Sequence, residues 1–261
     1  MDIVKDFVFA VAGDEVDINL NLRVNKLIEK LQIANDIGCN EIGLTGELFK
    51  DKGVVWILLN DKIIFYKDLP RLADEIIIET RATGTRGIKF FREDRVYLNE
   101  KSEANLIAIN GSVWIIADEK THRPKRPTYV MDKEDLDLIS DRTKTFARSI
   151  KTVEEIGDYS EMPKIYEYKV SYSDLDHNRH FHNTNYVKLA LDAYAFYKKI
   201  DISKEKIKID ELNISYKREV FIFEDLEIFY REEGGYSYFE GRKKDGVISF
   251  LIEALIGLEE I

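Results

Sequence analysis

A short segment of the chain, residues 174–186, concentrates side chains that can transfer protons. It holds three of the four histidines, His177, His180 and His182, together with two aspartates and three asparagines. Imidazole and carboxylate groups act as general acids and bases, and amides can orient water or a carbonyl group. A helical pattern follows at once, and free N–H groups at a helix start can stabilise a developing negative charge. The segment therefore predicts a site of acid–base chemistry.

The same histidines could instead bind a metal ion. In an extended segment the side chains of His180 and His182 would point to one side and that of His177 to the other. Zinc also needs further ligands in a fixed geometry, so we expect neither a metal nor a cofactor. A structural interpretation competes as well, because Asp176 and Asn178 are residue types that favour turns and helix starts.

Two segments have the apolar periodicity of a long helix. In the first, apolar side chains recur at three- and four-residue steps over residues 20–37, and Gly38 is the expected stop. In the second they recur over residues 186–197, with Asn183 or Asn185 available as the N-cap. Only two charged residues interrupt the second segment, so we expect this helix to be buried on most sides.

After each helix the sequence pattern changes to that of β-strands. In the first half, strands are predicted at residues 54–59, 63–66, 76–85, 89–98 and 106–117. In the second half, they are predicted at residues 207–216, 226–232, 236–242 and 247–255. Hairpin turns are predicted at Asn60-Asp61, Glu233-Gly234-Gly235 and Lys244-Asp245-Gly246. Each half therefore predicts a short strand, one long helix and an antiparallel meander.

The two halves also align with each other, which indicates an internal duplication. An ungapped shift of 159 residues lays Asp-Ile-Asn at 17–19 on Asp-His-Asn at 176–178, and most apolar helix positions coincide. Two further pairs under this shift are Asn21 with His180 and Asn60 with Glu219. The first copy therefore lacks the imidazole and the acid that the second copy keeps.

Composition excludes several classes of protein. The chain has 261 residues, which fits one large domain or two of ordinary size. Its 49 acidic and 39 basic residues give a net charge of -10, which argues against nucleic acid as a partner. Its single cysteine, Cys39, excludes a disulfide framework and a cysteine-rich zinc site. With no apolar leader and no apolar run of membrane-spanning length, we expect a cytoplasmic protein that does not enter membranes.

Three motifs together resemble the acyl-ACP thioesterase family, whose members carry two tandem hotdog domains. The family's Asp-Leu-Asp-x-Asn-x-His-x-x-Asn stretch corresponds to residues 174–183, and its Tyr-x-Arg-Glu stretch to residues 216–219. A third match closes the first domain, with Ser112, Trp114, Asp118, Thr121, Arg123, Pro124 and Arg126. The resemblance covers almost the whole chain, and bacterial members are the nearer comparison.

The resemblance implies an α+β fold of two tandem hotdog domains, each a long central helix wrapped by an antiparallel β-sheet. Residues 1–130 would form a non-catalytic domain that supplies a wall of the acyl pocket. Residues 131–163 would connect it to a catalytic domain at 164–261.

The resemblance also implies an activity within fatty acid biosynthesis. The enzyme would hydrolyse the thioester of a fatty acyl-acyl carrier protein and release free fatty acid and holo-carrier protein. Glu219 and His180 would position and deprotonate a water, Asn178 would orient substrate or water, and Asp176 would fix the His180 tautomer or stabilise charge. N–H groups near residues 183–186 would form the oxyanion site. A covalent route, with Asp176 or Glu219 attacking the carbonyl carbon, stays open.

Two positions depart from the family pattern. His182 stands where the family usually has Asn, and Val220 stands where plant members have Cys. A thiol nucleophile is therefore not expected. The alternatives are a hotdog acyl-CoA thioesterase or dehydratase, or an acyl-binding protein without hydrolytic activity.

The partner implied by the resemblance is an acidic carrier protein. A net charge of -10 would repel it at long range, so docking needs a local basic patch. The candidate groups are Lys120, Arg123, Lys125 and Arg126; Lys198, Lys199, Lys204 and Lys206; and Arg242, Lys243 and Lys244. A homodimer is also expected to be possible.

Overall fold

A computed structural model describes residues 4–139, 145–154 and 162–261. The chain divides into an N-terminal unit, residues 1–23 and 27–151, and a C-terminal unit, residues 24–26 and 152–261. Each unit has a long helix and an antiparallel sheet, as expected for a hotdog domain, so the predicted α+β class is confirmed. None of the described helices is both long and apolar enough to cross a membrane.

The N-terminal unit begins with a strand and a long helix. Its helices are α1 (Val24–Glu41), α2 (Gly46–Lys52), α3 (Lys133–Leu138) and α4 (Phe146–Ser149). Its strands are β1 (Val4–Ala10), β2 (Val54–Phe65), β3 (Glu75–Arg86), β4 (Lys89–Leu98), β5 (Leu106–Asp118) and β6 (Pro124–Lys125). The strand order is β1-β3-β4-β5-β2, and β6 pairs with β5. Sequence analysis did not predict α2.

The C-terminal unit repeats this plan. Its helix is α5 (Asn183–Lys198), and its strands are β7 (Lys164–Lys169), β8 (Glu205–Tyr216), β9 (Asp225–Glu233), β10 (Tyr236–Lys243) and β11 (Ile248–Glu260). The strand order is β7-β9-β10-β11-β8. Matching strands thus occupy matching places in both sheets, which confirms the predicted duplication.

Helix α1 continues beyond its predicted end. It buries Val24, Leu27, Ile28, Leu31 and Ala34 of the predicted apolar face. The two outermost positions of that face, Leu20 and Ile37, are exposed. The predicted stop at Gly38 is wrong, because the helix runs on to Glu41. A Cβ atom at Gly38 would lie 3.1 Å from Nη1 of Arg92 and 3.4 Å from Cγ2 of Thr80. The glycine therefore allows the helix to approach the sheet closely.

Of the three predicted hairpin turns, two are confirmed and one is wrong. Asn60-Asp61 is not a turn: β2 runs straight through it, with a register shift between Leu58 and Asn60, and both residues are buried. The turns at 233–235 and 244–246 are confirmed, because β9 ends at Glu233, β10 spans Tyr236–Lys243 and the turn glycines have positive φ. The two polar residues that predicted a turn are therefore buried polar residues inside a strand.

Part of the predicted connection, residues 131–163, belongs to the N-terminal unit. Met131, Ile139 and Ala147 are buried there, and helices α3 and α4 lie in this segment. The division between the units falls at Lys151 and Thr152 instead of at residues 130 and 164. Residues 140–144 and 155–161 of the connection lie outside the described part of the chain.

Two buried carboxyl groups share the core of the N-terminal sheet. Asp61 on β2 and Asp94 on β4 are 3% and 0% exposed. Asp94 Oδ2 accepts a hydrogen bond of 2.9 Å from Nδ2 of Asn110, while Oδ1 of each carboxyl group has no hydrogen-bond partner among the described residues. Burial raises the pKa of both carboxyl groups, and the charge of Asp94 raises the pKa of Asp61 further.

This burial predicts a pH-dependent gain of stability in Asp61→Asn. The folded state holds the Asp61 proton more tightly than the unfolded state, so the wild-type protein loses stability as pH rises from the ordinary aspartate pKa of about 4 toward the raised pKa. Asparagine does not titrate. We expect the free energy of unfolding of the variant, measured by urea denaturation, to exceed that of wild type by about 1 kcal/mol at neutral pH and the difference to shrink in acid.

Asp118→Asn is the matched control, and its stability should change with pH in the opposite direction. Hydrogen bonds from the side chain and backbone of Thr121 lower the pKa of Asp118 to about 2. Its carboxylate therefore stabilises the fold above the ordinary aspartate pKa, and this contribution disappears as pH falls through about 2. If the free energies of unfolding of wild type and Asp61→Asn changed with pH in parallel, Asp61 would not be held in its protonated form by burial.

Candidate active site

A tight loop before α5 positions His180. The amide of Asp176 donates to the carbonyl oxygen of His180 at 2.8 Å, and the amide of His180 donates back to Oδ1 of Asp176 at 3.0 Å. Leu175 and Phe181 form a bridge beside these bonds, and Arg179 takes a left-handed conformation with φ of 67°. The short polar side chain of Asp176 thus closes the loop and fixes the backbone of His180.

The N-terminal unit contains the same loop. The amide of Asp17 donates to the carbonyl oxygen of Asn21 at 2.8 Å, and the amide of Asn21 donates to Oδ1 of Asp17 at 3.0 Å. Val16 pairs with Leu22, and Leu20 has φ of 63°. Every one of these positions precedes its counterpart by 159 residues. The two copies therefore share a scaffold that holds an imidazole in one and an amide in the other.

Glu219 lies beside this histidine. The amide of Phe181 donates to the carbonyl oxygen of Val220 at 2.8 Å, which ties the chain after β8 to the loop. As a result, Oε1 of Glu219 lies 3.7 Å from Nδ1 of His180. Their side chains are 36% and 25% exposed, so water can reach both. The two groups are thus close enough to act on one water molecule.

The predicted counterpart of Glu219 in the first copy is wrong. Asn60 lies inside β2, whereas Glu219 follows the end of β8. In the N-terminal unit the amide of Leu22 donates to the carbonyl oxygen of Pro70, the bond that corresponds to Phe181 and Val220. The position equivalent to Glu219 is therefore Leu69, and the first copy still lacks an acid there.

Two other predicted residues do not touch the imidazole. Asp176 contacts the backbone of His180, the contact that Asp17 makes in the copy without histidine. Asn178 is exposed on the loop and forms no hydrogen bond with the described residues. The shared contact indicates that Asp176 shapes the loop, whereas Asn178 has its amide free for a ligand.

This difference predicts how two changes at Asp176 will behave. Asp176→Asn keeps an oxygen that can accept the His180 amide, so we expect turnover within about tenfold of wild type. Asp176→Ala removes the acceptor, and turnover should fall roughly a hundredfold because the imidazole is no longer held in place. Steady-state turnover rates of the two variants check this. An equal, large loss in both would show that the negative charge itself is required.

The start of α5 differs from the prediction. His182 is the N-cap, and its Nδ1 accepts from the amide of Thr184 at 3.4 Å; Asn183 is already helical, so neither Asn183 nor Asn185 is the cap. Nδ2 of Asn185 instead donates to the carbonyl oxygen of Asp174 at 3.1 Å. The amide of Asn183 has no acceptor among the described residues and remains available for an oxyanion.

Sequence analysis missed two aromatic neighbours of the site. The ring of Phe221 meets that of His180 edge-on at 5.1 Å. Tyr186 is 4% exposed, and burial, together with the carboxylates of Glu219 and Asp176, raises the pKa of its phenol group. Tyr186 therefore stays neutral beside the acids. The helical pattern marked Tyr186 only as a core residue, and no signal marked Phe221.

The imidazoles do not form a metal cluster with other ligands. Within residues 4–139, 145–154 and 162–261, no group of three or more His, Cys, Asp or Glu side chains could hold a metal ion.

The N-terminal unit contains an apolar cavity. It is partly open to solvent, and most of its lining is apolar. The ring of Trp56 meets those of Phe90 and Trp114 at 4.9 and 6.3 Å and lines the cavity with them. The other apolar lining residues are Ile42, Leu44, Ala82, Phe91 and Ile139, and the polar side is formed by Asn35, Asp36, Cys39 and Arg92. Such a cavity suits a flexible apolar ligand.

Comparison with solved structures supports the fold. An acyl-ACP thioesterase from Bacteroides thetaiotaomicron superposes with a TM-score of 0.80 at 17% identity, covering 97% of this chain and 98% of that one. The 12:0-ACP thioesterase from Umbellularia californica superposes with a TM-score of 0.81 at 16% identity, covering 99% of both. At these identities the likeness concerns the fold alone. A search of curated proteins found no match.

Sequence models of the family establish membership. The model of the acyl-ACP thioesterase N-terminal domain matches residues 4–132. The model of the acyl-ACP thioesterase C-terminal domain matches residues 158–252. Together they cover most of the chain and assign one model to each half of the duplication. The chain therefore belongs to the acyl-ACP thioesterase family and is a thioester hydrolase.

Proposed function

We propose that this enzyme hydrolyses fatty acyl thioesters of acyl carrier protein in the cytoplasm, within fatty acid biosynthesis, and that the C-terminal unit carries the reaction. The observation that carries the proposal is the distance of 3.7 Å between Nδ1 of His180, on the hydrogen-bonded loop before α5, and Oε1 of Glu219, in the chain after β8. The first copy has the loop without these groups, with Asn21 and Leu69 at the two positions. Catalysis therefore belongs to one copy.

His180 acts as the general base in this proposal. Glu219 lies on the Nδ1 side of the imidazole and favours the tautomer with a proton on Nδ1. Nε2 is then free to take a proton from water while the water oxygen attacks the carbonyl carbon. The separation of 3.7 Å is longer than a hydrogen bond and would shorten in the substrate complex.

The remaining steps need a stabilised oxyanion and a proton for sulfur. The amide of Asn183 and the side chain of Asn178 would donate to the oxyanion. When the carbon–sulfur bond breaks, the imidazolium of His180 returns its proton to the thiolate, which gives the carrier thiol and a free fatty acid. The charge of Glu219 stabilises the imidazolium in between. Trapping an acyl group on Asp176 or Glu219 would replace this route with a covalent one.

The acyl chain would bind in the N-terminal cavity. Its rings and aliphatic side chains match an alkyl chain, and burying each methylene group contributes about 0.8 kcal/mol. A copy that has no catalytic pair retains a function in this way. This role was expected from the resemblance as a wall of the acyl pocket.

An acidic carrier would dock on the basic group at the end of β5. Lys120, Arg123 and Arg126 are exposed and form no ion pair with any residue that the structure describes. Lys125, the fourth member of this group, pairs with Asp118. Members of the other two groups are engaged in the pairs Lys198–Glu232, Lys206–Glu259, Lys243–Glu224 and Lys244–Asp225. Reversing the charges at Lys120 and Arg123 should raise KM for carrier-linked substrate and weaken its salt dependence, with acyl-pantetheine as the unaffected control.

The deciding experiment compares carriers. The purified protein is incubated with matched acyl-ACP and acyl-CoA thioesters of several chain lengths, and released thiol and fatty acid are measured. Preference for acyl-ACP supports the proposal. Preference for acyl-CoA would make the protein a hotdog acyl-CoA thioesterase, and binding without thiol release would make it an acyl-binding protein.

A further inference from the structure

Arg92 places a buried guanidinium group in the wall of the apolar cavity. The residue is 7% exposed and lines the cavity beside Cys39 and Asn35. Its Nη1 donates to Oγ1 of Thr80 at 2.8 Å, and its Nη2 donates to Sγ of Cys39 at 3.3 Å. Both acceptors are neutral, and the thiol is a weak one.

The guanidinium group has more donors than these contacts use. It carries five N–H groups, and no described carboxylate lies within ion-pair distance of it. Buried charged groups normally have their hydrogen-bonding capacity filled, because leaving a donor unpaired away from water is costly. Donors therefore remain for a ligand that enters the cavity.

The surrounding residues hold this group in place. Gly38 leaves the space that Nη1 occupies, since a Cβ atom there would lie 3.1 Å from it. Thr80, which accepts from Arg92, donates in turn to Oδ1 of Asn35 at 2.7 Å. Nδ2 of Asn35 lies 3.4 Å from Oδ2 of Asp94. A chain of hydrogen bonds thus fixes the orientation of the donors at the cavity wall.

We propose that Arg92 selects acyl chains that carry a neutral oxygen substituent, a hydroxyl or oxo group, which accepts hydrogen bonds from its guanidinium. This inference rests on the proposed function, since the ligand is the acyl chain of the substrate. It makes Arg92 a specificity-determining residue in the copy of the fold that has lost the catalytic pair.

The local charges favour a neutral acceptor over a carboxylate. Asp94 on the same strand interacts electrostatically with Arg92 and offsets part of its charge. Asp36 lies at the exposed side of the same cavity. A ligand carboxylate would add negative charge beside both aspartates, whereas a hydroxyl or oxo group needs only the donors. A purely apolar chain would leave these donors unpaired.

The first test measures the ratio of kcat/KM for oxygen-substituted and unsubstituted acyl-ACP substrates, with one hydroxyl or oxo group moved along the chain. At the position that reaches Arg92, we expect wild type to prefer the substituted chain about tenfold, the value for one hydrogen bond to a charged donor. Arg92→Met should bring the ratio close to one. Arg95→Met, which changes a half-exposed arginine of the same strand, should leave the ratio unchanged.

The second test does not require hydrolysis. Cys39 is the only cysteine and lines the cavity, so its alkylation rate reports whether the cavity is filled. Because burial raises the pKa of the Cys39 thiol, alkylation is followed at alkaline pH. Acyl-pantetheine amides, which lack the thioester, serve as ligands. Half-maximal protection should need about tenfold less of the hydroxyacyl or oxoacyl amide than of the plain amide.

The outcomes separate this inference from the proposed function. Preferential protection of Cys39 by oxygenated amides, without thioester hydrolysis, would support the role of Arg92 and overturn the activity. Hydrolysis without preference at any chain position, together with equal protection by both amides, would overturn the role of Arg92 and leave the activity standing. Should Arg92→Met fail to fold, Arg92→Lys keeps the charge but loses the fork of donors, and the preference should fall several-fold.

Discussion

His180→Ala should lower the turnover of acyl-ACP by roughly 10²–10⁴, the loss expected for a general acid–base group. The imidazole is half-buried and lies 3.7 Å from the carboxylate of Glu219, longer than a hydrogen bond, so the fold depends little on it. Thermal unfolding should therefore change little while the rate collapses. Glu219→Gln should reduce turnover within the same range, since glutamine cannot stabilise the imidazolium.

The first copy supplies the matched control. Asn21 occupies the His180 position of an identical loop, with the same pair of hydrogen bonds to its aspartate. Asn21→Ala should leave turnover within a few fold of wild type. Leu69→Ala, at the position equivalent to Glu219, should do the same when its rate is expressed per folded protein. A collapse of the rate in Asn21→Ala, or near-normal turnover in His180→Ala, would place the chemistry in the other half.

The duplicated plan and the reactive loop could be predicted because their signals are local. Asp17 and Asp176 each close a short loop with their own backbone, so residue types at fixed spacing determine the geometry. The uniform shift of 159 residues holds through this loop and into the helix. It fails at Glu219, because the chain between helix and acid differs in length between the copies and only hydrogen-bond partners reveal the match with Leu69.

The features that escaped prediction depend on contacts distant in sequence. Gly38 has the composition of a helix stop, yet the space it leaves is filled by Arg92 from β4. Asn60-Asp61 has the composition of a turn, yet both residues are buried in β2, and Asp61 lies near the buried Asp94 of β4. Phe221 meets His180 only because the chain after β8 is tied to the loop. Side-chain type alone does not encode these partners.

A second large effect is expected in the core of the catalytic unit, at Gly241 on β10. Gly241 pairs with Phe250 across the sheet, and a Cβ atom on Gly241 would overlap the Phe250 ring. That ring is 0% exposed and lies 4.8 Å from the ring of Tyr186 in the first turn of α5. Phe250 therefore cannot move aside without displacing the helix start next to the catalytic loop.

Gly241→Ala should lower the free energy of unfolding by about 1–3 kcal/mol, the range for overpacking a dense core. Turnover should fall several-fold even where the variant is fully folded, because Tyr186 lies behind the loop that carries His180.

Gly257→Ala on β11 is the matched control. A Cβ atom at Gly257 meets nothing within 4 Å, so this variant should lose far less free energy of unfolding. In the double variant Gly241→Ala/Phe250→Leu, the smaller leucine leaves room for the alanine. The double variant should therefore lose less free energy of unfolding than the two single variants lose together. Two results of urea denaturation would contradict this role of the Phe250 ring. One is that the losses of unfolding free energy add exactly in the double variant. The other is that Gly241→Ala loses no more than Gly257→Ala.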